Sequence, residues 1–308
     1  MSELSTTIIA ALQAWQLPGP LRIEPLAGAI NSQNWRVESA AERFVAKLVG
    51  NNATFESGLL VAEYLEGVGF PAGGPIRTHA GALSVPAGGE RLALLRFVPG
   101  EQIDSNQEQD LRIWGATIGR FHRLLQQMPE IPAGLPRWPW SWLDPTVEHV
   151  RVEGWIGPAI ERSLAELRQL ESALPLTLGI VHGDGTYPLV DRASGVPAVI
   201  DWGAAMWGPL LYDLGSAYWF FQFGQAEPAR AFAPFLEAYQ QHGPLPADEL
   251  AAVAVFARMR CVVQGFYFSW RIANDIRTGL ADAAENQQGL DDARRTWEQM
   301  ADLGFLRV

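Results

Sequence analysis

The first part of the chain alternates apolar and polar positions, and the rest spaces its apolar residues three and four apart. In Arg43-Phe44-Val45-Ala46-Lys47-Leu48-Val49, Phe44, Ala46 and Leu48 fall on one side, the period of a half-buried strand. Trp35 to Glu38 precedes it with the same character, and further strands are predicted over 21–26, 76–78, 82–85 and 92–97. Gly88-Gly89 marks a hairpin between the last two. Leu4, Ile8, Leu12 and Trp15 predict an opening helix over 3–17, ended by Pro18-Gly19-Pro20. A second helix is predicted over 54–68, burying Leu60, Val61, Tyr64 and Leu65. Beyond residue 100 the spacing becomes helical. Leu111, Trp114, Ile118, Phe121 and Leu125 define a core-facing helix over 110–125. Further helices are expected over 157–173, around 218–221, over 228–241, in the apolar stretch 248–275 and over 289–303.

One stretch interrupts this pattern with chemistry. Residues 180–219 read IVHGDGTYPLVDRASGVPAVIDWGAAMWGPLLYDLGSAYW, and two acids stand out, Asp184 after His182-Gly183 and Asp201 after Val199-Ile200. Each follows a short apolar run. Between them, Leu189-Val190-Asp191 and Ala198-Val199-Ile200 flank Arg192-Ala193-Ser194-Gly195, a hairpin loop with glycine for a positive φ. A hairpin returns the chain to where it left, so the two carboxylates should stand close together. That pairing suits one acid that accepts a proton from an attacking hydroxyl and another that holds Mg²⁺ against nucleotide phosphates.

HGD, a short hairpin, IDWG and GPLLYDL in this order resemble the signature of the aminoglycoside phosphotransferase, choline kinase and homoserine kinase superfamily. The resemblance implies an α+β, two-lobed protein-kinase-like fold. A small antiparallel N-lobe with one helix, residues 1–98, would cover the nucleotide, and a mainly helical C-lobe, 99–308, would carry catalysis and the acceptor. It makes Asp184 the catalytic base, His182 the brace of its loop, Asp201 the main metal ligand and Asp213 the holder of the loop backbone. It also makes Lys47 the phosphate-binding lysine, and the turn around Asn31 and Ser32 the nucleotide-covering loop. Arg96, Phe97 and Val98 become the hinge that meets adenine. The helix over 54–68 should carry a glutamate that pairs with Lys47; Glu56 lies nearer the family position, and Glu63 shares its side. The implied reaction moves the γ-phosphoryl group of ATP or GTP, with Mg²⁺, to a hydroxyl of a small molecule. Aminoglycosides, choline and homoserine remain open as acceptors. The sequence departs from the family where a metal-binding Asn follows HGD: that position holds Leu189, in a shortened loop. Thr186, Asp191 or water would then complete the metal shell. A silent nucleotide- or metabolite-binding protein on the same fold is the alternative.

Composition adjusts this picture in a few places. Of 23 basic residues only Lys47 is a lysine, which suggests that a compact ammonium is needed there and a planar guanidinium is not. A net charge of −11 argues against nucleic acid as partner and is compatible with a cationic acceptor. Trp140, Trp142, Tyr218, Trp219 and Trp270, with Asp275, either line a cation-binding pocket or fill the core of stacked helices. A single cysteine, Cys261, rules out an internal disulfide and fits a reducing cytoplasm. The first residues lack the basic start and apolar core of a leader, and Arg258 and Arg260 interrupt the longest apolar stretch, so no membrane span is expected. His122 reads as structural. A hydrolase built on His182 would want a serine elbow or a metal-spaced histidine pair, and neither is present.

Overall fold

The alternating segments pair into an antiparallel sheet at the N-terminal end. The computed structural model describes residues 3–26, 30–40, 42–50, 53–185, 187–223, 225, 227–279, 282 and 284–300. β1 (Arg22–Leu26), β2 (Gln33–Glu38), β3 (Arg43–Val49) and β6 (Glu90–Arg96) lie side by side in that order, and β4 (Pro75–Ile76) and β5 (Val85–Ala87) both pair with β6. Alternation then divides the side chains. Phe44, Ala46 and Leu48 join Trp35, Val37, Ile8, Leu12 and Trp15 in one buried cluster under α1 (Glu3–Leu12) and the 3₁₀ turn that follows it. On the other face Val49 and Ala93 pack against Phe55 and Leu59 of α2 (Ala53–Gly67). Lys47 shares this second face, which is why it points away from the α1 core.

Some boundaries move for local reasons. The opening helix stops at Leu12 and tightens into the 3₁₀ turn Gln13–Trp15. The strands expected over 76–78 and 82–85 recede because Thr78 forms a turn: its N–H donates to the Ala82 carbonyl, and its hydroxyl accepts the Ala82 N–H, both at 2.9 Å.

Helices dominate the remainder. They are α3 (Glu108–Leu125), α4 (Ile156–Ala173), α5 (Leu211–Phe221), α6 (Pro228–Ala231), α7 (Ala233–His242), α8 (Ala247–Leu250), α9 (Val253–Ala273) and α10 (Ala284–Met300). The five apolar residues that define the α3 stripe are all buried. Two small ladders sit among the helices. β8 (Leu178–Val181) pairs antiparallel with β11 (Met206–Pro209), while β9 (Leu189–Asp191) pairs with β10 (Val196–Ala198) and with β7 (Glu101–Gln102). The second hairpin strand thus precedes the expected 198–200. Val199 leaves the ladder to donate its N–H to the Pro71 carbonyl at 3.2 Å, and Ile200 turns its carbonyl to His182. The expected end of the last helix, 301–303, lies outside the described residues. No helix among those described is long and apolar enough to cross a membrane.

Candidate active site

β8 delivers His182-Gly183-Asp184 to the surface of the helical part, and a buried carboxylate fixes the backbone there. Asp213, in the first turn of α5, accepts the His182 N–H at 2.6 Å and the Gly183 N–H at 2.9 Å. Its carboxylate also meets His122 Nε2 at 3.1 Å, and His122 Nδ1 lies 2.9 Å from the Tyr239 hydroxyl. Burial pushes the Asp213 carboxyl up, but the hydrogen bond from His122 and the loop N–H groups outweigh it and hold it below the ordinary carboxylate range. His182 Nε2 faces the Ile200 carbonyl at 3.0 Å, so that nitrogen carries the proton and Nδ1 accepts the Asp184 N–H at 3.4 Å. Gly183 sits at φ +85°, and a Cβ there would fall 2.1 Å from the Ala204 carbonyl oxygen. Only glycine lets the two acidic segments come this close.

Asp184 is half exposed and is aimed by a residue that the motif does not contain. Arg260 of α9, almost fully buried, donates from Nη2 to Asp184 Oδ1 at 2.5 Å and from Nη1 to the Gly183 carbonyl at 3.1 Å. Burial works against the guanidinium charge, but the Tyr212 hydroxyl and Asp184 more than restore it, so Arg260 is charged. This leaves Asp184 Oδ2 as the oxygen open to a substrate. The available signal was Arg258 and Arg260 within the apolar first half of α9, where a buried cation needs a partner.

Lys47 and Asp201 meet across the fold, Nζ to Oδ1 at 2.5 Å, with the lysine buried and the aspartate side chain 55% exposed. Asp201 stands at φ 69°, ψ 60°, a left-handed conformation that turns its carboxylate toward the sheet. Burial presses this carboxyl upward, and the nearby ammonium outweighs that and holds it low. α2 closes over the same segment: Gly58 lies so near Trp202 that a Cβ would be 2.2 Å from its carbonyl oxygen.

The glutamate expected to pair with Lys47 does not do so. Phe55 and Leu59 take the sheet-facing side of α2. Glu56 is thereby turned toward β5 and β6, where it binds Arg91 at 2.5 Å and the Ser84 hydroxyl at 2.6 Å. Glu63 pairs with Arg77 at 2.6 Å. The Glu56 pair is half-buried, and a glutamine there keeps an oxygen that can accept from Ser84 and Arg91, so Glu56→Gln is expected to cost about 1–2 kcal/mol in thermal or chemical unfolding. It is also expected to leave the rate of phosphoryl transfer within about twofold of wild type, since no transition-state contact is removed.

Asn31 and Ser32 begin the segment leading into β2; the Ser32 hydroxyl donates to Asn34 Oδ1 at 3.3 Å, while Asn31 reaches α9. The Asn31 carboxamide oxygen accepts hydrogen bonds from the Tyr267 hydroxyl and from Arg271 Nη1, the latter at 3.1 Å, and Arg271 also holds the Ile30 carbonyl at 3.1 Å. Arg271 is fully buried and binds Asn286 and the Thr278 carbonyl as well, so one side chain ties this loop to α9 and α10. Residues 27–29 of the same loop lie outside the described residues. At residues 96–98, expected to form the hinge, the Arg96 N–H donates to the Gly74 carbonyl at 2.9 Å, the Arg43 guanidinium stacks on the Phe97 ring at 4.6 Å, and Val98 is half-buried.

A cleft of about 950 Å³ gathers Asn31, Ser32, Lys47, Asp184 and Asp201 in its lining; Glu56 and residues 96–98 are not part of it. A smaller pocket of about 330 Å³ opens on the other side of Asp184. Trp142 and Trp270 line this pocket, and Trp219 lines the larger cleft. The other proposed cage members are elsewhere. Trp140 packs on Tyr212 and Tyr218 on Phe232 in the core, while Asp275 pairs with Arg277 on the surface.

No cluster of three or more His, Cys, Asp or Glu poised for a metal occurs among the described residues. Asp191 is not available: its oxygens accept the Ala193 N–H at 3.0 Å and the Ser194 hydroxyl at 2.8 Å, closing the hairpin turn. Leu189 is bound into the β9 ladder, and Thr186 lies outside the described residues. A lone exposed carboxylate still fits Mg²⁺, which is commonly held by one or two carboxylates together with substrate phosphates and water.

A model of the phosphotransferase enzyme family matches residues 22–254. The homoserine kinase of Caulobacter vibrioides is 24% identical over 261 residues, spanning 81% of each chain. Among solved structures, an amicoumacin kinase in complex with AMP-PNP and Ca²⁺ superposes with a TM-score of 0.72 at 17% identity, covering 97% of this chain and 94% of that one. A microcompartment-associated aminopropanol kinase gives 0.71 at 16% identity and 97% of both chains. A choline kinase from Streptococcus pneumoniae gives 0.68 at 14% identity, with 98% and 100% covered. At these identities the superpositions speak for the fold, a kinase-like α+β architecture with an N-terminal antiparallel sheet and a helical C-terminal part.

Proposed function

Because the chain belongs to the phosphotransferase enzyme family, whose members act on small-molecule hydroxyls, we propose that it moves the γ-phosphoryl group of ATP or GTP to an alcohol bound beside Asp184. The observation that carries this reading is the contact between Lys47 and Asp201 in the cleft that Asp184 also lines. Residues 1–98 then act as the nucleotide-covering part and 99–308 as the catalytic and acceptor-binding part. The nucleotide lies in the larger cleft under Asn31 and Ser32, with adenine toward 96–98, and the acceptor occupies the smaller pocket.

The chain's own residues act by position and charge. Lys47 would turn its ammonium to the phosphates, and Asp201 would hold the cation. Bound Mg²⁺ supplies charge neutralisation along the phosphates. Asp184 Oδ2 accepts the acceptor's hydroxyl proton as the alkoxide oxygen bonds to the γ-phosphorus. The bond from that phosphorus to the β,γ-bridging oxygen breaks, and the nucleoside diphosphate leaves. His182, Asp213 and Arg260 keep the Asp184 loop in place throughout.

Thermal unfolding with ATP, with and without Mg²⁺, tests the arrangement. Saturating nucleotide at about a hundred times its Kd adds roughly 2.7 kcal/mol. The expected shift is large with Mg²⁺ and much smaller with a chelator. An equal shift in both would favour the silent binding protein to which Leu189 points.

A further inference from the structure

The pocket beyond Asp184 is poor in charge. Resting on the proposed phosphotransfer, we infer that its acceptor is an uncharged alcohol on an apolar body, and that Gln264 sets this preference. Trp142, Tyr212, Val263, Phe266, Tyr267 and Trp270 supply most of the wall. Among the described lining residues only Asp184 and Arg260 are charged, and they are paired with each other at 2.5 Å.

Each ammonium of a polycationic acceptor would have to leave water and find an anion, and this pocket has no second carboxylate to offer. A single quaternary ammonium would find aromatic faces. It would also find the fixed guanidinium of Arg260, whose charge already stands over the rings of Trp219 and Phe220 at 5.8 and 5.7 Å. A zwitterion fares no better, because Arg260 is committed to Asp184 and the Gly183 carbonyl. Of the polar side chains in the lining, Asn31 and Tyr267 bond each other and Arg271, and the Tyr212 hydroxyl meets Arg260; Gln264 is half-buried, neutral, and shared by the pocket and the nucleotide cleft. An amide there orients a hydroxyl without adding charge.

The test uses two alcohols of the same shape, 3,3-dimethylbutan-1-ol and choline, which differ only in the charge of the quaternary centre. Homoserine and kanamycin serve as zwitterionic and polycationic probes. Binding to the full chain without nucleotide is followed by ligand-observed NMR, and ADP release with Mg²⁺-ATP is measured separately. The neutral alcohol is expected to bind about tenfold or more tightly than choline and to outrank homoserine and kanamycin. Gln264→Glu, nearly isosteric, should narrow or close this gap by raising choline affinity about tenfold. Trp270→Ala, at the exposed mouth, should weaken the neutral alcohol by removing part of the apolar wall. Tighter binding of any charged probe by the wild type, no detectable binding of the neutral alcohol, or an unchanged ratio in Gln264→Glu would overturn the inference. Absent ADP release with the binding order intact would instead count against phosphoryl transfer, so the two failures are separable.

Discussion

Asp184→Asn should lower the rate of phosphoryl transfer by about 10²- to 10⁴-fold and leave nucleotide affinity within about twofold. The replacement keeps the shape of the side chain, and its carbonyl oxygen can still accept from Arg260 Nη2 where Asp184 Oδ1 does at 2.5 Å. The loop stays anchored through Asp213 and through the Arg260 bond to the Gly183 carbonyl. What is lost is an oxygen able to take the acceptor's proton. Steady-state ADP release gives the rate and nucleotide titration gives the affinity. A variant that turned over at the wild-type rate would show that another group accepts the proton, or that none is needed.

The second large effect concerns stability. Asp213 is fully buried and accepts from two backbone N–H groups and His122. Asp213→Ala strands all three donors in the core, at a cost of roughly 3–5 kcal/mol, the range for breaking a buried ionic hydrogen-bonded site. For a chain of 308 residues that corresponds to a fall in Tm of roughly 5–8 °C. The acid branch of the stability curve offers a sharper check. The folded Asp213 carboxyl is held below its ordinary range, so the unfolded chain binds the proton more readily. Its contribution is complete above about pH 4 and disappears as pH falls through the folded value. Melts between pH 7 and 3 should therefore steepen below about pH 4 in the wild type and less so in Asp213→Asn. Parallel acid branches would remove Asp213 from the account.

How far the sequence reaches depends on the range of the interaction involved. Alternation in 43–49 sorted Phe44, Ala46 and Leu48 from Lys47, and the three-and-four spacing of α3 predicted its buried stripe, because both follow from backbone periodicity alone. The order of HGD, IDWG and GPLLYDL pointed to the fold through resemblance. Partners separated by most of the chain were not legible. Arg260 and Asp184 lie 76 positions apart, and Arg271 and Asn31 lie 240 apart. Periodicity also could not tell which face α2 would turn to the sheet. The apolar demand of Phe55 and Leu59 decided that, and it sent Glu56 to Arg91. The aromatics divided for the same reason, Trp140 and Tyr218 to the core and Trp142 and Trp270 to the pocket.

The left-handed backbone of Asp201 bears on how this protein can change. Apart from glycine, the residues that occupy that conformation at low cost are Asn and Asp. Among residues with a side chain, Asn is thus the replacement that the main chain accepts most readily, and it removes the negative charge opposite Lys47. If Asp201 holds the cation as proposed, such a variant would keep the local backbone conformation and lose turnover, at the added cost of leaving the buried Lys47 ammonium without its anionic partner. In a saturation library, Asn at 201 should accordingly be tolerated by the fold better than any side chain at Gly183, where a Cβ would fall 2.1 Å from the Ala204 carbonyl oxygen.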